Sequence, residues 1–414
     1  MKHEIIYERG ELFDVNMMIT MSIRISGCPS EEEIVRAFSL AVGTNEILLS
    51  RIVIDNDGRA FYVDNDHPES FIRKADDSLD AIGQREEKKR FKLEKGEYIR
   101  AYYEVEEDRT TILFLMHHMA GDGMSLQYFI EDFMTFLAGE QRSFKEIRTA
   151  ETGDALDVVS HGIIRHYNRK WNKHVFSFSD MDKAYDAYWK DRTSVIDRKV
   201  IEKEEMDKIL DECRKAGVRY TAYITAWLIK ESQRTMDIGY AMDYRQDKNR
   251  SMGNQASGFS IRYRYNSEKS LLDNARAIQK KIDKKIREHE KGSYILSFVA
   301  GFVPTLHDAV NLEHAGTFHD KVSFSLARLM GYIGTTKDYS ITNLTVADIP
   351  VRYGDYEIEE MMFAGPVVSY GKIIFSIVSC NGKTVITKHV RKYCSASETV
   401  ESSYGNVGAE TEKE

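Results

Sequence analysis

Apolar and polar positions alternate with several different periods along the chain, and each period predicts an element. Ser30 followed by Glu33 makes a capping box before IVRAFSLAV, so a helix is expected from about residue 31. The stretch RIVIDNDGRAFYVDND (51–66) reads as a hairpin turning at Asp57-Gly58. A second pair of strands is expected in YIRAYYEV (98–105) and TTILFLMHH (110–118), the latter apolar almost throughout, as in a strand buried on both faces. In MSLQYFIEDFMTFLAG the apolar residues Leu126, Phe129, Ile130, Phe133, Phe136 and Leu137 recur every three or four positions, a helix with Gly139 at its C-terminal cap. From about 140 to 185 the pattern loosens into a polar connector. Helical periodicity returns at 202–217, 220–232 and 270–291, and strand patterns at GFSIRYRY (258–265), VSFSLA (322–327), YGKIIFSIVS (370–379) and KTVITKHV (383–390). Helices and strands are mixed in both halves, which predicts two α/β (α+β) two-layer sandwich domains, at 1–175 and 176–396.

With 414 residues, 42% of them hydrophobic, the chain can bury two cores of domain size. No apolar run reaches the length of a membrane span, and MKHEIIYERGE lacks the apolar segment of a secretory signal. Cys28, Cys213, Cys380 and Cys394 lie far apart without a CxxC pair, so reduced thiols and a cytoplasmic location are expected. Formal net charge is −8, and five Glu against one Lys between Ser397 and Glu414 account for half of it. That stretch, 397–414, reads as a disordered acidic tail. A body near −4 lacks the basic excess that phosphate neutralisation demands, so nucleic acid is not the expected partner.

The candidate chemistry sits in FLMHHMAGDGMS (114–125). A buried strand ends in His117-His118, a tight turn holds Asp122-Gly123, and an amphipathic helix follows. Neighbouring side chains on a strand point to opposite faces, so one histidine is expected to face a cavity while the other packs. A histidine at a strand end beside a pocket suits a general base, since its ordinary pKa of about 6.5 lies near neutrality.

HHMAGDG resembles the HHxxxDG signature of the superfamily that holds chloramphenicol acetyltransferase, the condensation domains of nonribosomal peptide synthetases, plant BAHD acyltransferases and stand-alone alcohol or polyketide-associated acyltransferases. FKLEKGEYIRAYYE (91–104) is similar to the segment that precedes the motif in those proteins. TAYITAWLIKE (221–231) resembles the helix opening their second half, and GYAMDYR (239–245) and SMGNQASGF (251–259) resemble segments after it. The resemblance implies two chloramphenicol acetyltransferase-like subdomains in a pseudo-dimer, with a central tunnel between them. It implies His118 as general base in direct acyl transfer from a thioester to a hydroxyl or amine acceptor, with His117 structural. Asp122 would pair with an arginine, Arg245 or else Arg51, and Gly123 would leave room for a pantetheine arm. Thr342 and Asn343 are candidate oxyanion donors. No bound cofactor or metal is implied: acyl-CoA or a phosphopantetheine thioester on a carrier protein is the co-substrate, and the chain is expected to act as a monomer on a small-molecule acceptor. The DFGWG segment of the plant enzymes is absent, and TNEILLSR (44–51) only loosely resembles an arginine motif of the condensation domains, so a stand-alone acyltransferase fits best.

Two other readings belong beside this one. The Lys280, Lys281, Lys284 and Lys285 face would meet coenzyme A phosphates or an acidic carrier protein, or is a solvated helix face. His307, His314 and His319 with Asp308 suggest a metal site, but their spacing fits no single helix face well, and a polar loop is the expectation. An idle condensation-like module that binds a carrier protein or metabolite is the alternative to an enzyme, although such a module has no chemical need for His118 and Asp122.

Overall fold

A computed structural model of the chain describes residues 2–245, 249–334 and 336–394; the acidic tail and its expected disorder lie outside the described residues. Two six-stranded sheets carry the fold. The first runs, in spatial order, Arg352–Tyr353, Tyr356–Ala364, Met18–Ser26, Arg109–His117, Ile99–Glu106 and Phe71–Lys74. The second runs Ala256–Arg264, Thr235–Asp243, Tyr339–Val346, Ile373–Cys380, Lys383–Tyr393 and Arg192–Ile201. A small third sheet joins Lys2–Glu4 to the hairpin Ser50–Ile54 and Ala60–Asp64.

Each six-stranded sheet has its own main hydrophobic core, and the small sheet packs into the first. In the first, the motif strand Arg109–His117 lies between two antiparallel neighbours. Its Phe114 meets Phe129 and Phe133 of the motif helix Gly123–Leu137 edge-on, at 6.0 and 5.6 Å, and Phe129 in turn meets Phe38 at 5.6 Å. Such edge-to-face pairs add about 0.5–1.5 kcal/mol each to burial, so strand, motif helix and the helix Glu31–Gly43 are locked as one stack. The capping box is formed: Glu33 N donates to Ser30 Oγ, and Ser30 N donates to Glu33 Oε2.

Strand pairing does not follow chain order across residue 175. The segment 352–364 returns to the first sheet, where Tyr356–Ala364 pairs antiparallel with Met18–Ser26. Helices Phe178–Trp189 and Pro304–Ala315 also pack into the first core. Where the returning strand ends, the two sheets are tied directly. Gly365 N donates to Ser376 Oγ (2.9 Å), Thr387 Oγ1 donates to Phe363 O (2.7 Å), and His389 Nδ1 lies 2.9 Å from Gly365 O.

Three expectations about elements are corrected. The connector at 140–185 contains the helix Val158–Lys170 and the start of Phe178–Trp189, capped by Asp157 and by an Asp180 carboxylate that accepts from Ser177 N. VSFSLA is helical within Lys321–Met330: Asp320 caps its start, and Gly331 closes it at φ +83°. The stretch holding His307, Asp308 and His314 is the helix Pro304–Ala315 rather than a polar loop. Its polar groups have separate partners: His307 Nε2 lies 2.8 Å from Val299 O, Asp308 pairs with Arg9, and His314 Nδ1 lies 2.8 Å from Tyr332 O. His319, beyond the helix, pairs with Glu313. Among the described residues no group of three His, Cys, Asp or Glu side chains is arranged to hold a metal ion, and no single helix is long and apolar enough to cross a membrane.

Candidate active site

The motif strand stops at His117, and His118 opens a single 3-10 turn, His118–Ala120. Backbone bonds fix this exit from both sides: His117 N donates to Tyr98 O (3.0 Å) and His118 N donates to Met17 O (2.8 Å). Tyr62 Oη clamps the turn by donating to Met119 O at 2.7 Å. Gly121 then takes φ +150°, where a Cβ would stand 2.4 Å from that of Ser125. Only glycine lets the chain pass from turn to helix this closely.

The two histidines have opposite environments. His117 is fully buried, accepts a hydrogen bond from Met119 N at Nδ1 (3.1 Å), and meets Phe91 edge-on. Burial, aided by the neighbouring His118, pushes its pKa down to about 3, so it stays neutral. His118 keeps 16% of its side chain exposed. Its Nδ1 is sealed and lies 3.1 Å from Glu11 Oε2, out of line for a full hydrogen bond, while Nε2 has no hydrogen-bond partner among the described residues. Burial alone would lower the His118 pKa, but the carboxylates of Glu11 and then Asp122 outweigh it and the result is raised.

Asp122 caps the motif helix and is almost fully enclosed by donors. Its Oδ1 accepts from Ser125 N (2.9 Å), Ser125 Oγ (3.2 Å) and Arg245 Nη2 (3.0 Å). Its Oδ2 accepts from Arg245 Nη1 and Gln255 N, both at 3.0 Å. Burial would raise its pKa, yet Arg245 and the two backbone N–H groups hold it below the usual carboxylate value. Arg245, 4% exposed, also donates to Asp243 and Ser125 and lies over the Tyr128 ring. Arg51 is exposed on the hairpin strand Ser50–Ile54 and is not the partner of Asp122. The segment after Arg245 completes the brace: Gly253 forms a bridge with Gly121 and accepts from Ser125 Oγ at 2.9 Å. Motif turn and second-half segment are thus one hydrogen-bonded unit.

The remaining site residues are placed as follows. The room left by Gly123 is filled, since a Cβ there would meet the Phe363 ring tip at 2.9 Å and Leu344 at 3.2 Å. Thr342 is buried in the strand Tyr339–Val346. The Asn343 amide donates to Thr221 Oγ1 (3.1 Å) and accepts from Thr345 N (2.8 Å), so it is engaged within its own half. Lys280, Lys281 and Lys284 are exposed and Lys285 pairs with Glu288 along the helix Leu271–His289. Sequence reasoning missed Glu11 and Asn254, whose Nδ2 donates to Glu11 Oε2 at 2.8 Å. The only signal in reach was Asn254 within SMGNQASGF.

No protein-family model matches the chain, and no curated protein matches it. Solved structures do. A trichothecene 15-O-acetyltransferase from Fusarium sporotrichioides superposes with a TM-score of 0.62 at 11% identity, covering 94% of this chain and 91% of that one. The first condensation domain of the CDA synthetase gives 0.61 at 12%, covering 94% and 90%. Polyketide synthase associated protein 5 from Mycobacterium tuberculosis gives 0.59 at 14%, covering 94% of each chain. At such identities the likeness speaks to fold alone, and the fold of this chain is the two-subdomain, chloramphenicol acetyltransferase-like fold that those structures share.

Proposed function

We propose that the protein is an acyltransferase that moves an acyl group from a thioester, acyl-CoA or acyl-carrier protein, directly to a hydroxyl or amine acceptor, with His118 as general base. The observation that carries this reading is the setting of the His118 ring: Nδ1 sealed beside the Glu11 carboxylate, in a side chain that keeps 16% of its surface exposed. An imidazole held this way takes a proton at Nε2 as the acceptor attacks the thioester carbonyl. The tetrahedral intermediate then expels the thiolate, which recovers that proton. Asp122 and Arg245 do not touch substrate in this scheme; they hold the turn that aims the ring. Binding both substrates beside His118 makes the attack effectively unimolecular. Relatives in fold support the chemistry by name, since one is an acetyltransferase and another was solved with an acyl-CoA and an aminoacyl thioester analogue.

The test is thiol release from acetyl-, octanoyl- and palmitoyl-CoA, and from the matching acyl-pantetheines, with a panel of alcohols and amines. Acceptor-dependent release with a matching acylated product is expected for at least one donor. Thermal stabilisation by these thioesters without turnover under any acceptor would favour the idle binding module instead.

A further inference from the structure

His118 is faced by few charged groups. On its own element these are His117, kept neutral by burial, and Asp122, whose charge is matched by Arg245. From the N-terminal segment the facing group is Glu11, at the end of the 3-10 turn Arg9–Glu11. Three contacts hold that turn in place. Asn254 Nδ2 donates to Glu11 Oε2 (2.8 Å), Glu11 N donates to Glu8 O (2.9 Å), and Arg9 is clamped by Asp308 and by Gly58 O. Glu11 is only 29% exposed, so its carboxylate has few other places to go.

From this arrangement we propose, building on the reading of His118 as base, that Glu11 is its positioning residue. Its carboxylate accepts a hydrogen bond from the Nδ1–H of His118, which holds the ring as the tautomer whose Nε2 lone pair faces the acceptor. When the acceptor proton moves to Nε2, the new positive charge lies 3.1 Å from a carboxylate oxygen. When the thiolate leaves, it takes that proton and the pair returns to its starting state. The out-of-line contact of the free protein closes into a full hydrogen bond as substrates fill the site, as catalytic hydrogen bonds often do. The raised pKa of His118, with Glu11 as the largest favourable influence, accords with this role.

The test uses the full chain labelled with 15N-histidine, with H118A to identify the His118 signals. The wild type should carry its proton on Nδ1. In E11Q the His118 pKa should fall by about one pH unit, while the thermal midpoint stays near that of the wild type. The acid limb of the kcat/KM profile should move down by the same interval, and kcat should fall about tenfold. E11D should restore part of both the pKa and the rate, which a merely structural role would not require. An unchanged tautomer and pKa in E11Q overturns the role of Glu11 and leaves His118 as base untouched. Full activity in H118A overturns the base itself.

Discussion

Two buried Arg–Asp pairs flank the site, and they are built differently. Arg9 and Asp308 meet twice, at 2.5 and 2.6 Å, with side chains 2% and 1% exposed, and their chain neighbours Leu12, Phe13, Leu306 and Ala309 belong to the first core. Asp308 has no donor other than Arg9 among the described residues, and Arg9 Nε is left without a partner. Arg245 and Asp122 meet at 3.0 Å, but there the carboxylate also accepts from two backbone N–H groups and a hydroxyl. The first pair pins the turn that carries Glu11. The second joins the motif turn that follows His118 to the segment after Thr235–Asp243, across the seam between the two halves. The lesson is that one pair secures an element within a core while the other, in the proposed mechanism, aims a side chain.

The largest effects should come from breaking either pair on one side. Asp308→Ala leaves the buried Arg9 guanidinium uncompensated, which costs about 3–5 kcal/mol; Asp122→Ala leaves Arg245 with Asp243 alone and strips the motif helix of its cap, and urea unfolding followed by circular dichroism measures both losses. The two variants should part in activity. At a temperature where both are folded, Asp122→Ala should lose acyl transfer by about a further hundredfold, because the base is misaimed. Asp308→Ala should lose no more than Glu11→Gln does. Equal activity loss in the two would erase the distinction between them.

A smaller effect, of opposite sign, is expected when the Arg9–Asp308 pair is removed whole. Arg9→Met with Asp308→Leu exchanges two desolvated charges for apolar volume, and such exchanges are neutral or stabilising by about 1–4 kcal/mol. A loss as large as that of Asp308→Ala alone would show that Arg9 is needed for its bond to Gly58 O and not for the pair.

Glu8 sharpens the comparison through pH. It precedes Arg9, is fully buried with Oε1 unpartnered, and burial pushes its pKa from 4.5 up to about 8. A raised carboxyl stabilises fully below the unfolded value and loses that contribution as pH rises through the folded one. Stability should therefore decline between pH 4.5 and about 8. Glu8→Gln should flatten this decline and exceed the wild type at pH 8.5 by on the order of 4 kcal/mol, with little difference at pH 5. Parallel slopes for the two proteins would place Glu8 in a wetter setting.

How much of this was legible in the sequence follows from the range of the interactions. The motif strand, its turn and helix are set by local period, caps and glycine, and all three stand out in residues 109–139. Lys321–Met330 misleads because Val, Phe and Ser suggest a strand, whereas the Asp320 and Gly331 caps decide for helix. The return of 352–364 to the first sheet depends on pairing more than 300 residues away, which no local pattern encodes. Asp122 could be matched to Arg245 by resemblance alone. Glu11 could not, since YERGELFD has neither a motif nor a period, and its contact with His118 closes a separation of over 100 residues.

The most direct measurement is the rate of acylated product formation by H118A beside the wild type, on the best donor and acceptor pair, with thermal midpoints recorded on the same samples. The predicted result is a fall of about 10²–10⁴-fold in kcat with a midpoint close to that of the wild type. A variant that is folded and transfers acyl groups at the wild-type rate would contradict the assignment of His118.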